Sequence, residues 1–251
     1  MSIVKKESSP HFNKLNTMRL LLISNSTNAG EAYLQHPMGE ISSFLGGIKK
    51  VLFLPYAAVT FSFNDYQKMV QEKFDELGIE VDSLHHHRNA KEAVRNAEAF
   101  VVGGGNTFRL LKIIQQLDII ETLRYRVLDG IPYVGWSAGS NVACPTICTT
   151  NDMPIVEPDN FSAFNLVRFQ INPHYLDANP DGHAGETREE RIVEFITMDP
   201  FSYVVGLREG SMLRVEDGNI SLVGTKPARI FKHGENPKEF NPGDDLDFLF
   251  E

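Results

Sequence analysis

The segment Gly135–Gly139 reads Gly-Trp-Ser-Ala-Gly, a G-x-S-x-G motif of the kind that presents a serine for nucleophilic attack. It lies between the apolar run Pro132–Val134, a predicted strand, and a helix predicted to begin near Ala138. Small residues on either side let the chain turn sharply and expose the Ser137 hydroxyl, and the first amides of the following helix face a developing oxyanion. We therefore predict that Ser137 is a nucleophile; the alternative is a tight turn whose serine only caps a helix.

Three consecutive glycines, Gly103 to Gly105, follow another buried strand and open a second helix. Such a loop presents backbone N–H groups to an anion. It matches neither the dinucleotide fingerprint, with its acidic ribose ligand, nor the G-K-[ST] phosphate loop. Because acyl transfer needs two oxyanion donors, we favour Gly105 as one and Ala138 as the other over a phosphate cradle.

A serine nucleophile needs a base within hydrogen-bonding reach, and a carboxylate normally orients that base. His174 lies just past the predicted strand Phe169–Asn172 and is the candidate base. Two carboxylates fit the remaining role. Asp152 would give the chain order Ser, Asp, His, and Glu209 lies just beyond the predicted strand Tyr203–Leu207. Either could instead be an ordinary turn or surface carboxylate.

We expect no metal site. The run His85–His87 cannot direct three consecutive side chains at one ion in regular structure and is interpreted as a solvated turn. The only two cysteines, Cys144 and Cys148, lack a second pair and a histidine cluster, so both are predicted to be buried, inert thiols.

Apolar strands alternate with amphipathic helices over most of the chain, which predicts a three-layer α/β/α fold with a mostly parallel sheet. Thr107–Asp129 is predicted to be helical throughout. Short strands separated by turns close the chain and predict an antiparallel C-terminal extension of the same sheet; they are Tyr203–Leu207, Met212–Val215, Ile220–Val223 and Ala228–Phe231. In such a sheet, sites form beyond the carboxyl ends of the strands, where the serine turn, the glycine loop and His174 are predicted to lie.

The chain of 251 residues, with 42% apolar side chains, is typical of one globular domain. A net charge of −9 without a basic cluster argues against nucleic acid and anionic membranes as partners. Apolar runs fall well short of the ~20 residues of a membrane span. Residues 1–17 are polar, lack a secretory signal pattern and are predicted to be a non-core extension to a single domain, residues 18–251, in the cytoplasm.

From Met18 to Glu251 the chain resembles the peptidase E family of α-aspartyl dipeptidases, whose relatives include cyanophycinase. The motifs that carry the resemblance are Gly103-Gly-Gly-Asn, Gly135-Trp-Ser-Ala-Gly-Ser-Asn, Asn172-Pro-His and Gly185-Glu-Thr-Arg-Glu-Glu-Arg. The resemblance implies a serine peptidase that cleaves dipeptides with an N-terminal aspartate, on a fold similar to class I glutamine amidotransferases. It also implies Ser137 as nucleophile and His174 as base, with the orienting carboxylate at Asp152 or Glu209; we place Asp152 slightly ahead.

An acidic substrate side chain needs a fixed cation, for which a bidentate arginine is suited. The family motif points to Arg188 in the capping box Thr187–Glu190, at the start of a predicted helix. An ordinary exposed first-turn arginine is the alternative, and Arg208 is a weaker candidate. Asn106, beside the glycine loop, is a candidate for positioning the substrate.

Two other functions fit the same residues. A cyanophycinase-like or isoaspartyl peptidase would use the same nucleophile on β-linked aspartyl bonds. A non-catalytic α/β module would bind a small anion at the glycine loop. For the favoured dipeptidase we expect no metal or organic cofactor, a small dipeptide as the only ligand, and a monomer or homodimer.

Overall fold

The computed structural model describes residues 17–179, 182 and 184–250. The extension predicted for residues 1–17 therefore lies outside the described residues, apart from Thr17. The Thr17 hydroxyl donates a 3.0 Å hydrogen bond to the carbonyl of Leu128. Regular structure in the described part begins three residues later, at Leu20.

A seven-stranded sheet forms the centre of the protein, in the spatial order β3-β2-β4-β5-β1-β8-β9. The first five strands in that order are parallel, whereas β8 and β9 are antiparallel to their neighbours. The mostly parallel sheet predicted from the sequence is thus confirmed. Its strands are β1 (Leu20–Ile23), β2 (Lys50–Leu54), β3 (Glu80–Ser83), β4 (Phe100–Val102), β5 (Tyr133–Trp136), β8 (Ser211–Glu216) and β9 (Asn219–Gly224).

A second sheet of four strands has the order β11-β10-β7-β6, in which β6 and β7 are parallel and the other pairs are antiparallel. Its strands are β6 (Gln170–Tyr175), β7 (Tyr203–Arg208), β10 (Ala228–Lys232) and β11 (Lys238–Phe240). The predicted C-terminal extension is confirmed for β8 and β9. It is wrong for the other two predicted strands, now β7 and β10, which pair in this second sheet.

Helices flank the central sheet, and the alternation of side chains along β1 shows that both of its faces are covered. Leu20 and Leu22 join one apolar cluster, whereas Leu21 and Ile23 join another, as a buried parallel sheet requires. The helices are α1 (Met38–Leu45), α2 (Phe63–Phe74), α3 (Ala90–Asn96), α4 (Thr107–Gln116), α5 (Ile120–Leu128), α6 (Ala138–Asn141) and α7 (Arg188–Met198). Among the described residues, no helix is long and apolar enough to cross a membrane.

The helix predicted over Thr107–Asp129 is two helices, α4 and α5. Asp118 lies between them with a φ of 50°, in the left-handed region that a continuing right-handed helix excludes. The buried face of α4 consists of Thr107, Leu110, Leu111 and Ile114, at helical spacing. Burial of these side chains against the sheet holds the first turn of α4, and with it the glycine loop, at the carboxyl edge of β4.

Candidate active site

The turn between β5 and α6 carries Ser137 in a strained backbone conformation, with φ 54° and ψ −112°. Its amide donates a 3.0 Å hydrogen bond to the carbonyl of Ile23 at the end of β1. A Cβ atom on Gly139 would lie 2.1 Å from the Val102 carbonyl oxygen, and one on Gly135 would lie 2.5 Å from the Gly139 oxygen. The two glycines of the motif are therefore required by close backbone packing, which forces Ser137 into this sharp turn.

His174 and Glu209 complete a continuous line of side chains that begins at Ser137. Nε2 of His174 is 2.9 Å from Oγ of Ser137, and Nδ1 is 2.7 Å from Oε1 of Glu209. The histidine and the glutamate side chains are each about 40% exposed, at 40% and 41%. An ionised carboxylate only accepts, so the Nδ1–H of His174 donates to Glu209 and leaves Nε2 to accept from the serine hydroxyl.

The second sheet positions the histidine and the glutamate. His174 lies in β6 at a φ of 53°, where the register with β7 shifts between Pro173 and Tyr175. Glu209 directly follows β7. Since β6 and β7 are parallel neighbours, their carboxyl ends lie side by side, which brings the imidazole and the carboxylate together.

Asp152 is held elsewhere, at the first turn of α4. Its Oδ2 accepts hydrogen bonds from the amide of Thr107 at 2.7 Å, the hydroxyl of Thr107 at 2.6 Å and the hydroxyl of Thr150 at 3.1 Å. The carboxylate thus satisfies free donors at a helix N-terminus. Of the two carboxylates proposed from the sequence, the structure brings Glu209 to His174 and Asp152 to α4.

The glycine loop lies against the nucleophile turn. A Cβ on Gly104 would be 3.0 Å from the Cβ of Ser137, so the loop and the serine are in direct contact. Gly105 has a φ of 132°, and a Cβ there would lie 2.3 Å from the Ala57 carbonyl oxygen. The buried Tyr66 hydroxyl donates to the Gly104 carbonyl at 3.0 Å and fixes the loop from behind. Ala138 is the first residue of α6, so its amide has no intrahelical acceptor.

The side chain of Asn106 is engaged within the protein. Its Oδ1 accepts from the amide of Arg109 at 3.0 Å and caps α4, while its Nδ2 donates to the Met153 carbonyl at 2.9 Å. These contacts tie the loop that contains Asp152 to the start of α4. Asn106 therefore has a structural role. That its side chain also positions a substrate stays a prediction.

Arg188 and Arg208 have contrasting surroundings. Arg208 forms hydrogen bonds with both Asp177 and Glu239, and its Nη1 also donates to the Pro227 carbonyl at 2.6 Å. Arg188 is half-buried at the start of α7, and no carboxylate partner for its guanidinium is found among residues 17–179, 182 and 184–250. Burial and then the charge of Arg191 lower the pKa of Arg188, while the charge of nearby Asp152 opposes this shift.

The capping box expected at the start of α7 is present: the Thr187 hydroxyl accepts from the Glu190 amide, and the Glu190 carboxylate accepts from the Thr187 amide. Arg188 therefore occupies the first position of a well-anchored helix. The capping box fixes the point at which the chain enters α7, and so holds the backbone that carries the Arg188 side chain.

The histidine run and the two cysteines form no hydrogen bond with Ser137 within the described residues. His85 bonds to Ser83 and Asn64, His86 bonds to the same Asn64 oxygen, and His87 bonds to Asp82. Of the two cysteines, Cys144 is buried, and burial raises the pKa of its thiol to about 12. Cys148 is exposed, so the prediction that both thiols are buried is wrong for Cys148.

Sequence reasoning missed Ser24, a fully buried serine whose hydroxyl contacts the amide of His174 at 3.0 Å. It comes directly after β1, in a turn at the same sheet edge as the other site turns. A signal was available, because the apolar run of β1 passes straight into the polar residues Ser24, Asn25 and Ser26.

A parallel α/β sheet, a serine on a strand-to-helix elbow, and a histidine and carboxylate in line with it together define a serine hydrolase. The model of Peptidase family S51 matches residues 20–223, and the chain belongs to this family. It is a serine peptidase, and the resemblance to the peptidase E family is confirmed.

Two relatives agree with this family assignment. The chain is 52% identical over 234 residues to a protein named Peptidase E from Nostoc sp., covering 93% of this chain and 97% of that protein. It is 44% identical over 226 residues to Peptidase E of Salmonella paratyphi A, covering 90% and 99%.

Two solved structures share the fold. A peptidase from an acI-B1 actinobacterium superposes with a TM-score of 0.68 at 18% identity, covering 92% of this chain and 98% of that one. A putative peptidase E protein from Listeria monocytogenes EGD-e gives 0.63 at 20% identity, covering 83% and 99%. The class of fold predicted from the sequence is thereby confirmed.

Proposed function

We propose that this serine peptidase hydrolyses dipeptides with an N-terminal aspartate through an acyl-enzyme formed on Ser137. The observation that carries the proposal is the unbroken pair of hydrogen bonds from Ser137 through His174 to Glu209, 2.9 Å and 2.7 Å long. Such a line of nucleophile, base and orienting carboxylate supports acyl transfer. The relatives named Peptidase E support the choice of substrate class.

In the first half of the reaction, Nε2 of His174 accepts the Ser137 hydroxyl proton as Oγ attacks the carbonyl carbon of the aspartyl residue. The amides of Gly105 and Ala138 donate to the oxyanion that forms. His174 then gives its proton to the leaving amine, the C–N bond breaks, and the aspartyl group remains as an ester on Ser137.

In the second half, water replaces the departed amine. His174 accepts a proton from the water as its oxygen attacks the ester carbonyl, and the same two amides hold the new oxyanion. The proton then returns to Ser137 Oγ as the ester bond breaks, which releases aspartate and restores the enzyme.

Glu209 takes the role of orienting carboxylate in this proposal, which reverses the preference for Asp152. The negative charge beside Nδ1 fixes the imidazole tautomer and stabilises the imidazolium that forms in each step. Asp152 is committed to Thr107 and Thr150, where its charge also acts on Arg188.

Arg188 is the proposed receptor for the aspartate side chain. It is a half-buried cation without a carboxylate partner in the described part of the chain, whereas Arg208 already binds two carboxylates. A bidentate pair between this guanidinium and the substrate carboxylate would replace the missing partner. The charge of Asp152, whose carboxylate accepts from the Thr107 amide at the start of α4, acts on Arg188 and supports its assignment to this side of the site.

The proposal also covers cofactors, partners, location and domain organisation. The reaction as written uses no metal or organic cofactor, and the acidic chain has no nucleic-acid partner. We place the protein in the cytoplasm as a monomer or homodimer, with residues 18–251 as the single catalytic domain and residues 1–17 as a dispensable extension.

The deciding experiment compares α-Asp-Leu, β-Asp-Leu, α-Glu-Leu and Ala-Leu as substrates for the wild type and Ser137→Ala, with and without a chelator. We expect cleavage of α-Asp-Leu alone, no effect of the chelator, and a kcat at least about 10⁴-fold lower for Ser137→Ala. Circular dichroism and thermal melting of the variant show whether it is folded.

Other results would select the rival functions. Preferred cleavage of β-Asp-Leu would identify an isoaspartyl or cyanophycinase-like peptidase with the same nucleophile. If the folded wild type cleaves no dipeptide and does not react with a fluorophosphonate probe, the site is an anion-binding module and the proposed function is wrong.

A further inference from the structure

The nucleophile and its base belong to different sheets. Ser137 follows β5 of the seven-stranded sheet, whereas His174 and Glu209 stand on β6 and directly after β7 of the four-stranded sheet. The 2.9 Å contact between Ser137 Oγ and His174 Nε2 therefore depends on how the two sheets are joined at their carboxyl ends.

Two consecutive residues at the end of β1 make that connection. The carbonyl of Ile23 accepts from the amide of Ser137 at 3.0 Å. The hydroxyl of the next residue, Ser24, accepts from the amide of His174, also at 3.0 Å. Two adjacent residues thus carry the anchor of the nucleophile, a backbone carbonyl, and the anchor of the base, a side-chain hydroxyl.

The amide of His174 needs this unusual acceptor because of the irregularity in β6. The left-handed φ of 53° and the register shift between β6 and β7 take the residue out of the regular ladder of hydrogen bonds. An amide left without an acceptor in a buried setting is costly, and the conformation persists only where its surroundings hold it. The Ser24 hydroxyl supplies the acceptor and is itself completely buried.

The same hydroxyl also fixes the neighbouring strand. It donates to the carbonyl of Leu207 at 2.7 Å, two residues before Glu209, so Ser24 contacts both β6 and β7. The next side chain, Asn25, accepts from the amide of Gly210 at 2.8 Å and holds the residue after Glu209. Ser24 and Asn25, just after β1, therefore hold the backbone on which both His174 and Glu209 stand.

We propose that Ser24 is a positioning residue, whose buried hydroxyl sets His174 at hydrogen-bonding distance from Ser137 and aligned with Glu209. This inference rests on the proposed function for the identity of nucleophile and base. Ser24 does not touch the reacting atoms and acts through the backbone of His174.

The test compares the wild type, Ser24→Ala and the control Ser83→Ala. Ser83 is also fully buried, and its hydroxyl bonds to Nδ1 of His85, at the far edge of the central sheet. For Ser24→Ala we expect both kcat for α-Asp-Leu and the rate of Ser137 labelling by a fluorophosphonate to fall about 10- to 100-fold, because small misplacements of reacting groups have effects of this size. KM should stay within about twofold, and Ser83→Ala should keep both rates.

Ser24→Cys serves where Ser24→Ala does not fold, because it preserves the packing and offers only a weak acceptor. The same falls in kcat and labelling rate are expected for it. A folded Ser24→Ala or Ser24→Cys protein with wild-type labelling and wild-type kcat would overturn the proposal, whatever its melting temperature.

Readouts that need no substrate separate this inference from the proposed function. If the wild type is labelled but cleaves no dipeptide, the substrate assignment fails, while slower labelling of Ser24→Ala still supports the role of Ser24. If the wild type is not labelled, the downfield proton resonance of His174 Nδ1–H decides. A shift or loss of this resonance in Ser24→Ala supports positioning, and an unchanged resonance contradicts it.

Discussion

At the scale of residues, the site illustrates how the partners of a side chain determine its chemistry. Asp152 and Glu209 are both carboxylates close to the site, but one accepts from Thr107 and Thr150 and the other from His174. A carboxylate that saturates a helix N-terminus stabilises a loop, whereas one that faces an imidazole stabilises the positive charge formed during catalysis.

Replacement of each carboxylate by its amide separates these two tasks. Glu209→Gln keeps the shape but removes the charge beside Nδ1, so we expect kcat to fall roughly 10³- to 10⁴-fold. Asp152→Asn retains an acceptor for Thr107 and should change the rate of Ser137 labelling less than about threefold. Steady-state kinetics and fluorophosphonate labelling measure both effects; the reverse ranking would return Asp152 to the triad.

Arg188 determines specificity in the proposed mechanism and not reactivity. Arg188→Met removes the guanidinium and keeps an apolar stem, so we expect kcat/KM for α-Asp-Leu to fall about 30- to 1,000-fold, or roughly 2–4 kcal/mol. Labelling of Ser137 by a small fluorophosphonate should be unchanged.

The matched control for that substitution is Arg191→Met on the same helix. Arg191 is 53% exposed and lies 3.6 Å from Glu186, so its loss should affect kcat/KM less than about threefold. Equal losses for the two variants would show that only the general positive charge of this helix matters.

At the scale of elements, two glycine-rich turns pack directly against each other. Gly139, after β5, approaches the carbonyl of Val102 at the end of β4, and Gly104, after β4, approaches Ser137. Packing this close leaves little room for adjustment, so the proposed oxyanion donors, the amides of Gly105 and Ala138, are backbone groups held by the turns and not by mobile side chains.

Gly105→Ala tests the rigidity of this arrangement, with Gly47→Ala as the control. Both glycines have positive φ, but a Cβ on Gly47 meets nothing within 4 Å, whereas one on Gly105 meets Ala57. We expect Gly47→Ala to lower the free energy of unfolding by about 1 kcal/mol and to keep activity, and Gly105→Ala to lower it by roughly 3 kcal/mol or more with loss of kcat. Urea unfolding measures the free energy of unfolding of each variant, and steady-state kinetics measures kcat. Equal losses in the two variants would contradict this prediction.

At the scale of the whole molecule, ion pairs around Arg208 join the segment after β6 to β7 and β11. Hydrogen bonds from the Arg208 guanidinium lower the pKa of Asp177 and of Glu239 below their ordinary values. Since the folded pKa values are depressed, the pairs stabilise the protein fully above the unfolded pKa, near 4, and this stability is lost as the pH falls through the folded values.

We therefore expect Arg208→Met to lose less stability than the wild type between about pH 5 and pH 3, because its carboxylates no longer resist protonation. Arg168→Met is the control: the Arg168 side chain donates to the Phe250 carbonyl and has no carboxylate partner in residues 17–179, 182 and 184–250. Urea unfolding at a series of pH values measures how steeply the free energy of unfolding falls as the pH is lowered. If this slope were the same in Arg208→Met as in the wild type, the ion pairs of Arg208 would not be its source.

Local patterns in the sequence were sufficient to predict the parallel sheet, the strand-to-helix turn at Ser137 and a histidine at the carboxyl end of a strand, since the pattern that indicates each of them lies within short stretches of the chain. Which of Asp152 and Glu209 lies beside His174 could not be predicted, because it depends on which strand lies beside β6. Long-range pairing also decides that β7 and β10 belong to the four-stranded sheet and that β8 and β9 belong to the seven-stranded sheet. The break between α4 and α5 could not be predicted, because the apolar spacing continues across Asp118 and the positive φ of that residue is not visible in the spacing.

Trp136 is the only tryptophan of the chain and immediately precedes Ser137. It is 1% exposed, its Nε1 donates to the Tyr66 hydroxyl at 3.1 Å, and its ring stacks on Phe53 with centroids 6.3 Å apart. Tyr66 in turn holds the glycine loop. Tryptophan emission, excited apart from that of the tyrosines, therefore comes from a single buried indole one residue from the proposed nucleophile. We expect this emission to report the formation and decay of an acyl-enzyme in stopped-flow experiments without an added label.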